Sequence, residues 1–236
     1  MATILVAQNG VGGPIGALEA PLRDAGHELE VWLAPADGPA PDPRAYGAVV
    51  ALGGVENPDA DGEHPWIAEE RTLIEGALAE GVPVLGLCLG AQLLAQASGG
   101  AAPFLGRLDL GWREIELAPA ATADALLRDL PPRFAGFQWH RYGLRPPSGA
   151  AVLATGPLGP QAFRVGDNAW GLQFHLEVDD RIVNHWLDLA PHEAAAAGEP
   201  VDALRARTAA ESDGSTERAR AVARRLAAVA GAVTLN

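Results

Sequence analysis

Lysine is missing from this chain; apart from histidine, all 17 basic residues are arginine. That excludes an amine nucleophile and a Schiff-base lysine. Cysteine is nearly missing as well. The single residue, Cys88, rules out an internal disulfide. A lone reactive thiol belongs in a reducing compartment, so a cytoplasmic location is expected. No run of about 18 apolar residues occurs, and no membrane span is expected. The segment from Met1 to Gln8 has no basic region and only a short apolar run, so it does not read as a signal peptide. Positive charge is scarce too. The formal net charge of -13 argues against a nucleic-acid surface. What remains is 236 residues, 48% of them hydrophobic, enough for one large domain or two small ones.

The stretch from Pro83 to Gln92 is the centre of the sequence. An apolar run enters it, the helix-forming run Ala91 to Ala97 leaves it, and Gly86-Leu87-Cys88-Leu89-Gly90 lies between. Glycines two residues either side of a nucleophile allow a sharp strand-to-helix turn that lifts the side chain to the top of a sheet. A thiol serves there, because the thiolate is intrinsically nucleophilic and a helix N-terminus favours its charge. The competing reading of Cys88 is a small buried apolar residue at a strand end.

Taken in order, Thr3 to Gln8 reads as a buried strand stopped by Asn9-Gly10. A helix is expected from Gly12-Gly13-Pro14 to about Ala25, with Pro21 inside it. The glycine spacing Gly10, Gly12, Gly13, Gly16 misses the dinucleotide-binding pattern, and no cofactor is expected. Glu28 to Leu33 alternates like a strand, and Ala48 to Leu52 reads as a buried strand running into Gly53-Gly54. Glycines at the carboxyl end of a parallel strand let backbone approach a ligand. Trp66 to Glu80 is an amphipathic helix closed by Gly81. The loop before it, with Asp61 and His64, reads as solvated rather than metal-binding.

This strand–helix alternation implies an α/β fold with a mostly parallel sheet and helices on both faces. Beyond Gly100 the texture changes to short strands, at 112–117, 134–140, 151–155, 162–165 and 169–174, with a short helix within 119–130. They read as extra antiparallel strands. Asp179 or Asp180 caps a helix to about Leu189. The chain divides into a main domain, 1–190, and a helical C-terminal extension, 191–236. That extension reads as two helical runs, 201–210 and 215–230, with a loop at Ser212-Asp213-Gly214. Leu226, Val229 and Val233 are its candidates for packing on the body, although its alanine-rich composition also fits a disordered or partner-binding tail.

The second chemical stretch is Gln173-Phe174-His175-Leu176-Glu177-Val178. In an extended segment residues two apart share a face, so His175 and Glu177 can form a base with its orienting carboxylate. A core histidine, or zinc held by Cys88, His175 and Glu177, are the other readings; structural zinc sites usually have more cysteines at shorter spacing.

Gly-Gly, then G-x-C-x-G-x-Q, then H-x-E, in this order, resembles the class I glutamine amidotransferase family. The likeness runs from Val49 to about Trp186. Pro65 to Glu70, Pro83 to Gly100, Phe137-Gln138-Trp139-His140 and Gly171 to Val178 resemble the branch akin to the amidotransferase part of GMP synthase. The resemblance implies a flavodoxin-like sheet and a triad with Cys88 as nucleophile, His175 as base and Glu177 as its orienting acid. It further implies an oxyanion hole from the N–H groups of Gly54 and Leu89, and substrate contacts at Gly53, Gln92 and His140. Arg141-Tyr142-Gly143 departs from many relatives at the pocket rim. A short, glutamine-sized pocket with neither metal nor organic cofactor is the expectation. Three functions follow: a glutaminase feeding ammonia to a separate synthetase subunit, a free-standing γ-glutamyl peptidase, or a non-catalytic regulatory relative. The substrate implied is glutamine or a γ-glutamyl compound.

Overall fold

The computed structural model describes residues 1–232. Val233, a candidate packing residue, lies outside the described residues. Nine strands form one sheet. In chain order they are β1 (Thr3–Gln8), β2 (Glu28–Leu33), β3 (Ala48–Ala51), β4 (Val84–Leu87), β5 (Phe104–Leu117), β6 (Arg133–Tyr142), β7 (Ala151–Gly156), β8 (Gly159–Val165) and β9 (Ala169–Leu172). The spatial order is β2-β1-β3-β4-β9-β8-β7-β5-β6. The first five in that order pair in parallel, and the remaining pairs are antiparallel. The parallel part repeats the flavodoxin-like strand order.

The central strands are buried throughout, yet they still alternate. Ile4 and Val6 of β1, Val50 of β3 and Leu85 and Leu87 of β4 face one layer; Leu5, Ala7, Val49, Ala51 and Val84 face the other. The second layer is built by helices α2 (Trp66–Glu80) and α3 (Leu89–Ala97). Gly81 adopts the left-handed conformation (φ 70°) that ends α2, as its sequence position predicts.

The first layer departs from expectation. The predicted helix from Gly12 is instead an open loop, a 3-10 turn at Gly16–Leu18 and a short α1 (Glu19–Asp24). Gly16 has φ 57°, and a Cβ there would meet Glu177 O at 2.2 Å, so the chain breaks where it touches the later segment. Pro21 falls in the first turn of α1, where a missing N–H costs little. The rest of the layer comes from the C-terminus. Three helices follow β9: α4 (Asp180–Leu189), α5 (Pro191–Ala196) and α6 (Val201–Ala232). Asp179 caps α4, accepting from the Ile182 N–H at 2.9 Å.

The two separate runs expected in the tail are one helix. Ser212-Asp213-Gly214 stays helical because the helix lies along the body. It buries Ala219, Val222, Ala223, Leu226 and Ala230 in the main core, and Val229 packs against that core. His27 fixes it, its ring placed 3.0 Å from Ala227 O and 3.2 Å from Ala2 O. No described helix is long and apolar enough to cross a membrane.

The helix expected within 119–130 is also replaced. A 3-10 turn (Pro119–Ala123) is followed by a turn organised by Asp124. That buried carboxylate accepts from the N–H groups of Leu126 (2.9 Å) and Leu127 (3.0 Å), from Arg164 Nε (2.9 Å) and from Trp170 Nε1 (3.1 Å). Removing one member of such a network strands the others. Asp124→Ala is expected to lower the unfolding free energy by about 3 kcal/mol, measured by urea denaturation. Asp129→Ala, which removes only the solvent-exposed pair with Arg225, is expected to cost much less in the same assay.

Candidate active site

Cys88 ends β4 and caps α3. Its backbone sits at φ 50°, ψ -106°, the sole non-glycine positive φ among the described residues. Such a conformation costs of order 1–3 kcal/mol and persists only where surroundings enforce it. Here they do. The Cys88 N–H donates to Leu172 O (2.8 Å) and the Gly90 N–H to Leu52 O (3.1 Å). A Cβ on Gly86 would lie 2.5 Å from Gly90 O, and one on Gly90 2.1 Å from Ala51 O. Both glycines of the motif are therefore required by close backbone approach.

His175 and Glu177 reach the same place by a route the sequence reading did not anticipate. β9 stops at Leu172, so these residues are not in a strand of alternating faces. The segment bends, and a single bridge to β6 holds it: the His175 N–H donates to Phe137 O at 2.8 Å. The imidazole Nδ1 then donates to Glu177 Oε1 at 2.6 Å, both side chains being buried. Burial by itself would lower the pKa of this imidazole. The Glu177 carboxylate, and after it the Cys88 sulfur, outweigh burial and hold His175 up at about 10. At neutral pH the ring is an imidazolium beside the sulfur. Gln173, quoted in the sequence motif but given no role there, places its amide Nε2 3.8 Å from the same sulfur.

The other predicted residues surround this centre. Gly53 admits no side chain, since a Cβ would come within 2.8 Å of His175 Cε1. Among the described residues, neither the Gly54 N–H nor the Leu89 N–H donates to a carbonyl, and both residues line the cavity above Cys88. Gln92 is buried and donates to Tyr142 O (2.9 Å) and to Gln173 Oε1 (3.3 Å). His140 is buried; desolvation above all, with the nearby positive charges of His175 and Arg113, holds its pKa down at about 4 against the pull of Asp109. It is neutral, its Nε2–H donates to Gln138 Oε1 (2.8 Å), and its Nδ1 is left as a buried acceptor without a partner.

The cavity is larger than the glutamine-sized pocket expected from the sequence. It encloses about 570 Å³ and runs from Gly53-Gly54 past His175 to α4 and α5. α4 supplies Trp186 and Leu189 to its wall, and α5, in the extension where the sequence shows no catalytic residue, supplies Glu193. The glycine-rich loop after β1 supplies another wall and accepts from Trp186 Nε1 through Gly12 O at 2.7 Å. Asn9, at the start of that loop, was legible only as a turn residue. Its amide donates to Leu52 O (3.0 Å) and to Glu70 Oε1 (3.3 Å), tying the loop to the end of β3. The site thus straddles the carboxyl ends of β1, β3 and β4, where open α/β sheets bind ligands.

A strained cysteine at a strand-to-helix elbow, facing a buried histidine–carboxylate pair on a flavodoxin-like sheet, defines a class of thiol-dependent acyl-transfer proteins. The model of "Glutamine amidotransferase class-I" matches residues 15–185. The imidazole glycerol phosphate synthase subunit HisH of Symbiobacterium thermophilum is 31% identical over 201 residues, covering 77% of this chain and 89% of that one. GMP synthase of Aeropyrum pernix is 33% identical over 154 residues, 62% of this chain but 28% of its own length. The chain spans about half or less of the first GMP synthases it matches. A crystal structure of a glutamine amidotransferase from Thermotoga maritima superposes with a TM-score of 0.86 at 26% identity, covering 95% of this chain and 97% of that one. The chain belongs to the class I glutamine amidotransferase family.

Glu70 of α2 provides a test of the scaffold under the site. It is fully buried, and desolvation pushes its pKa from 4.5 to about 8, with the Asn9 amide opposing. The folded chain keeps this proton up to about 8 while the unfolded chain releases it near 4.5, so Glu70 makes stability fall as pH climbs through that window. Unfolding free energies of wild type and Glu70→Gln, measured by urea denaturation across that range, are expected to diverge. The variant, being neutral throughout, becomes relatively more stable toward the alkaline end.

Proposed function

We propose that the chain hydrolyses the γ-amide of glutamine through a thioester on Cys88, with His175 as acid and base and Glu177 as its orienting carboxylate. The observation that carries the reading is the strained Cys88 elbow set against a buried His175–Glu177 pair 2.6 Å apart. Cys88 Sγ attacks the amide carbon. The Gly54 and Leu89 N–H groups receive the developing oxyanion; losing one such donor typically costs ~10²–10³ in rate. Imidazolium His175 hands a proton to the departing nitrogen, and the C–N bond breaks. Water, activated by the now neutral His175, releases glutamate and regenerates the thiolate. Gly53 leaves room for the ring, Gln173 and Gln92 steady the sulfur's surroundings, and His140 lines the substrate side of the cavity. These steps use no metal or organic cofactor.

In this reading the catalytic unit is 1–190, and the extension 191–236 packs on it through α5, which adds Glu193 to the cavity wall, and α6. The relatives named as subunits of imidazole glycerol phosphate synthase and of GMP synthase support a partner here too, a separate synthetase that consumes the ammonia; the cytoplasmic setting rests on the lone thiol. A second reading, hydrolysis of γ-glutamyl amides with larger amines, is favoured by the cavity's size of about 570 Å³.

Glutamate release from glutamine by the purified protein tests the proposal. Cys88→Ala is expected to abolish it, and Glu177→Gln to reduce it at least ~10²-fold. His175 must be protonated to release the leaving nitrogen. The alkaline limb of kcat/KM should therefore lie well above the ordinary histidine range, toward about 10, and move down in Glu177→Gln. Unchanged turnover in Cys88→Ala would end the proposal.

A further inference from the structure

We propose that the half of the cavity beyond His175 is a subsite for an apolar, aromatic amine, so that N-aryl or N-arylalkyl γ-glutamyl amides are substrates in addition to glutamine. This rests on the hydrolase reading above, since it assigns the leaving-group side of that same site.

The direction of the leaving group follows from the chemistry. The substrate's carbonyl oxygen turns to the Gly54 and Leu89 N–H groups, and the scissile nitrogen turns to His175. A substituent on that nitrogen therefore enters the space bordered by the neighbours of His175. Trp186 is the first, its ring centroid 5.0 Å from that of His175 at 72°. Trp139 follows, 6.2 Å from Trp186 at 82°. Leu108 and Leu189 complete the wall, and Leu189 is 65% exposed at the rim.

The polar atoms of this wall are already committed. Trp186 Nε1 donates to Gly12 O, and Trp139 Nε1 donates to Glu193 Oε2. The other Glu193 oxygen accepts from Arg141 at 3.0 Å. The tryptophans thus present ring carbon to the cavity, and both Glu193 oxygens are already engaged by an indole N–H and an arginine. His192 stands exposed at the rim, in water. Ammonia needs none of this space. A cavity of about 570 Å³ is of the size that holds a drug-like molecule rather than one amino acid. Two edge-to-face tryptophans offer an aromatic group the offset contacts it prefers.

The reaction balances as for glutamine. The Cys88 sulfur forms the thioester, the C–N bond breaks, the His175 proton goes to the nitrogen, and the free aromatic amine leaves. Water then yields glutamate.

The test compares kcat/KM for γ-glutamyl benzylamide with that for γ-glutamyl methylamide. Wild type is expected to favour benzylamide by about tenfold, equivalent to ~1.4 kcal/mol. Trp186→Ala should bring that ratio near one and Trp186→Phe should keep most of it. Leu189→Asp, at an exposed position that folding does not depend on, should reduce it severalfold. A wild-type ratio of one or less, with Cys88 labelled by a glutamine chloroketone, overturns the subsite and leaves the hydrolase reading intact. Absence of both turnover and labelling overturns the two together.

Discussion

A backbone turn that holds Cys88 at φ 50° constrains most of the surrounding architecture. Such a turn relaxes unless opposed, and here the opposition is steric and hydrogen-bonded at once. The Cys88 N–H is taken by β9 and the Gly90 N–H by the end of β3, so the elbow is clamped between two neighbouring strands. That clamp demands that backbone pass within van der Waals distance of backbone, which Gly86 and Gly90 alone permit. Parallel β3, β4 and β9 must then sit side by side, and the helices on either face must bury their outer sides. The strain is balanced by the core it organises.

Charge is handled by the same economy of space. His175 and Glu177 are buried where an isolated ion is costly, and each makes the other tolerable. The imidazolium is kept by the carboxylate and the sulfur, while His140, a few residues along β6, is kept neutral by burial and by that same imidazolium. Two histidines in one cavity thus carry opposite protonation states at neutral pH. One has a proton to give; the other keeps a buried lone pair without a partner.

The C-terminal third ties this centre to the surface. α6 supplies the apolar residues that complete one face of the sheet. α4 and α5 carry Trp186, Leu189 and Glu193 to the rim. The wall they build joins the glycine-rich loop through the Trp186–Gly12 bond, so the mouth of the cavity is shared between the two ends of the chain.

Local pattern was enough to show the elbow, the alternation of early strands and helices, the Gly81 stop and the H-x-E pair, because each is written in residues close in sequence. Buried alternation in β1, β3 and β4 and the capping of α4 by Asp179 belong to the same class of local signal. Other features were decided by partners far along the chain. Gly16 breaks the first helix against Glu177, 161 positions on in the numbering. Asp124 replaces a helix with a turn because Arg164 and Trp170 reach it. Ser212 to Gly214 stays helical because α6 lies on a core, a condition no tail composition reveals. His175 and Glu177 meet through a bend held by Phe137, not through strand alternation. The sequence by itself determined which chemical groups the site has and the elbow that presents one of them. Only the tertiary structure decided how large the cavity is, which protons its histidines keep and what lines its far wall, because volume, desolvation and long-range contact exist only once the chain has closed on itself.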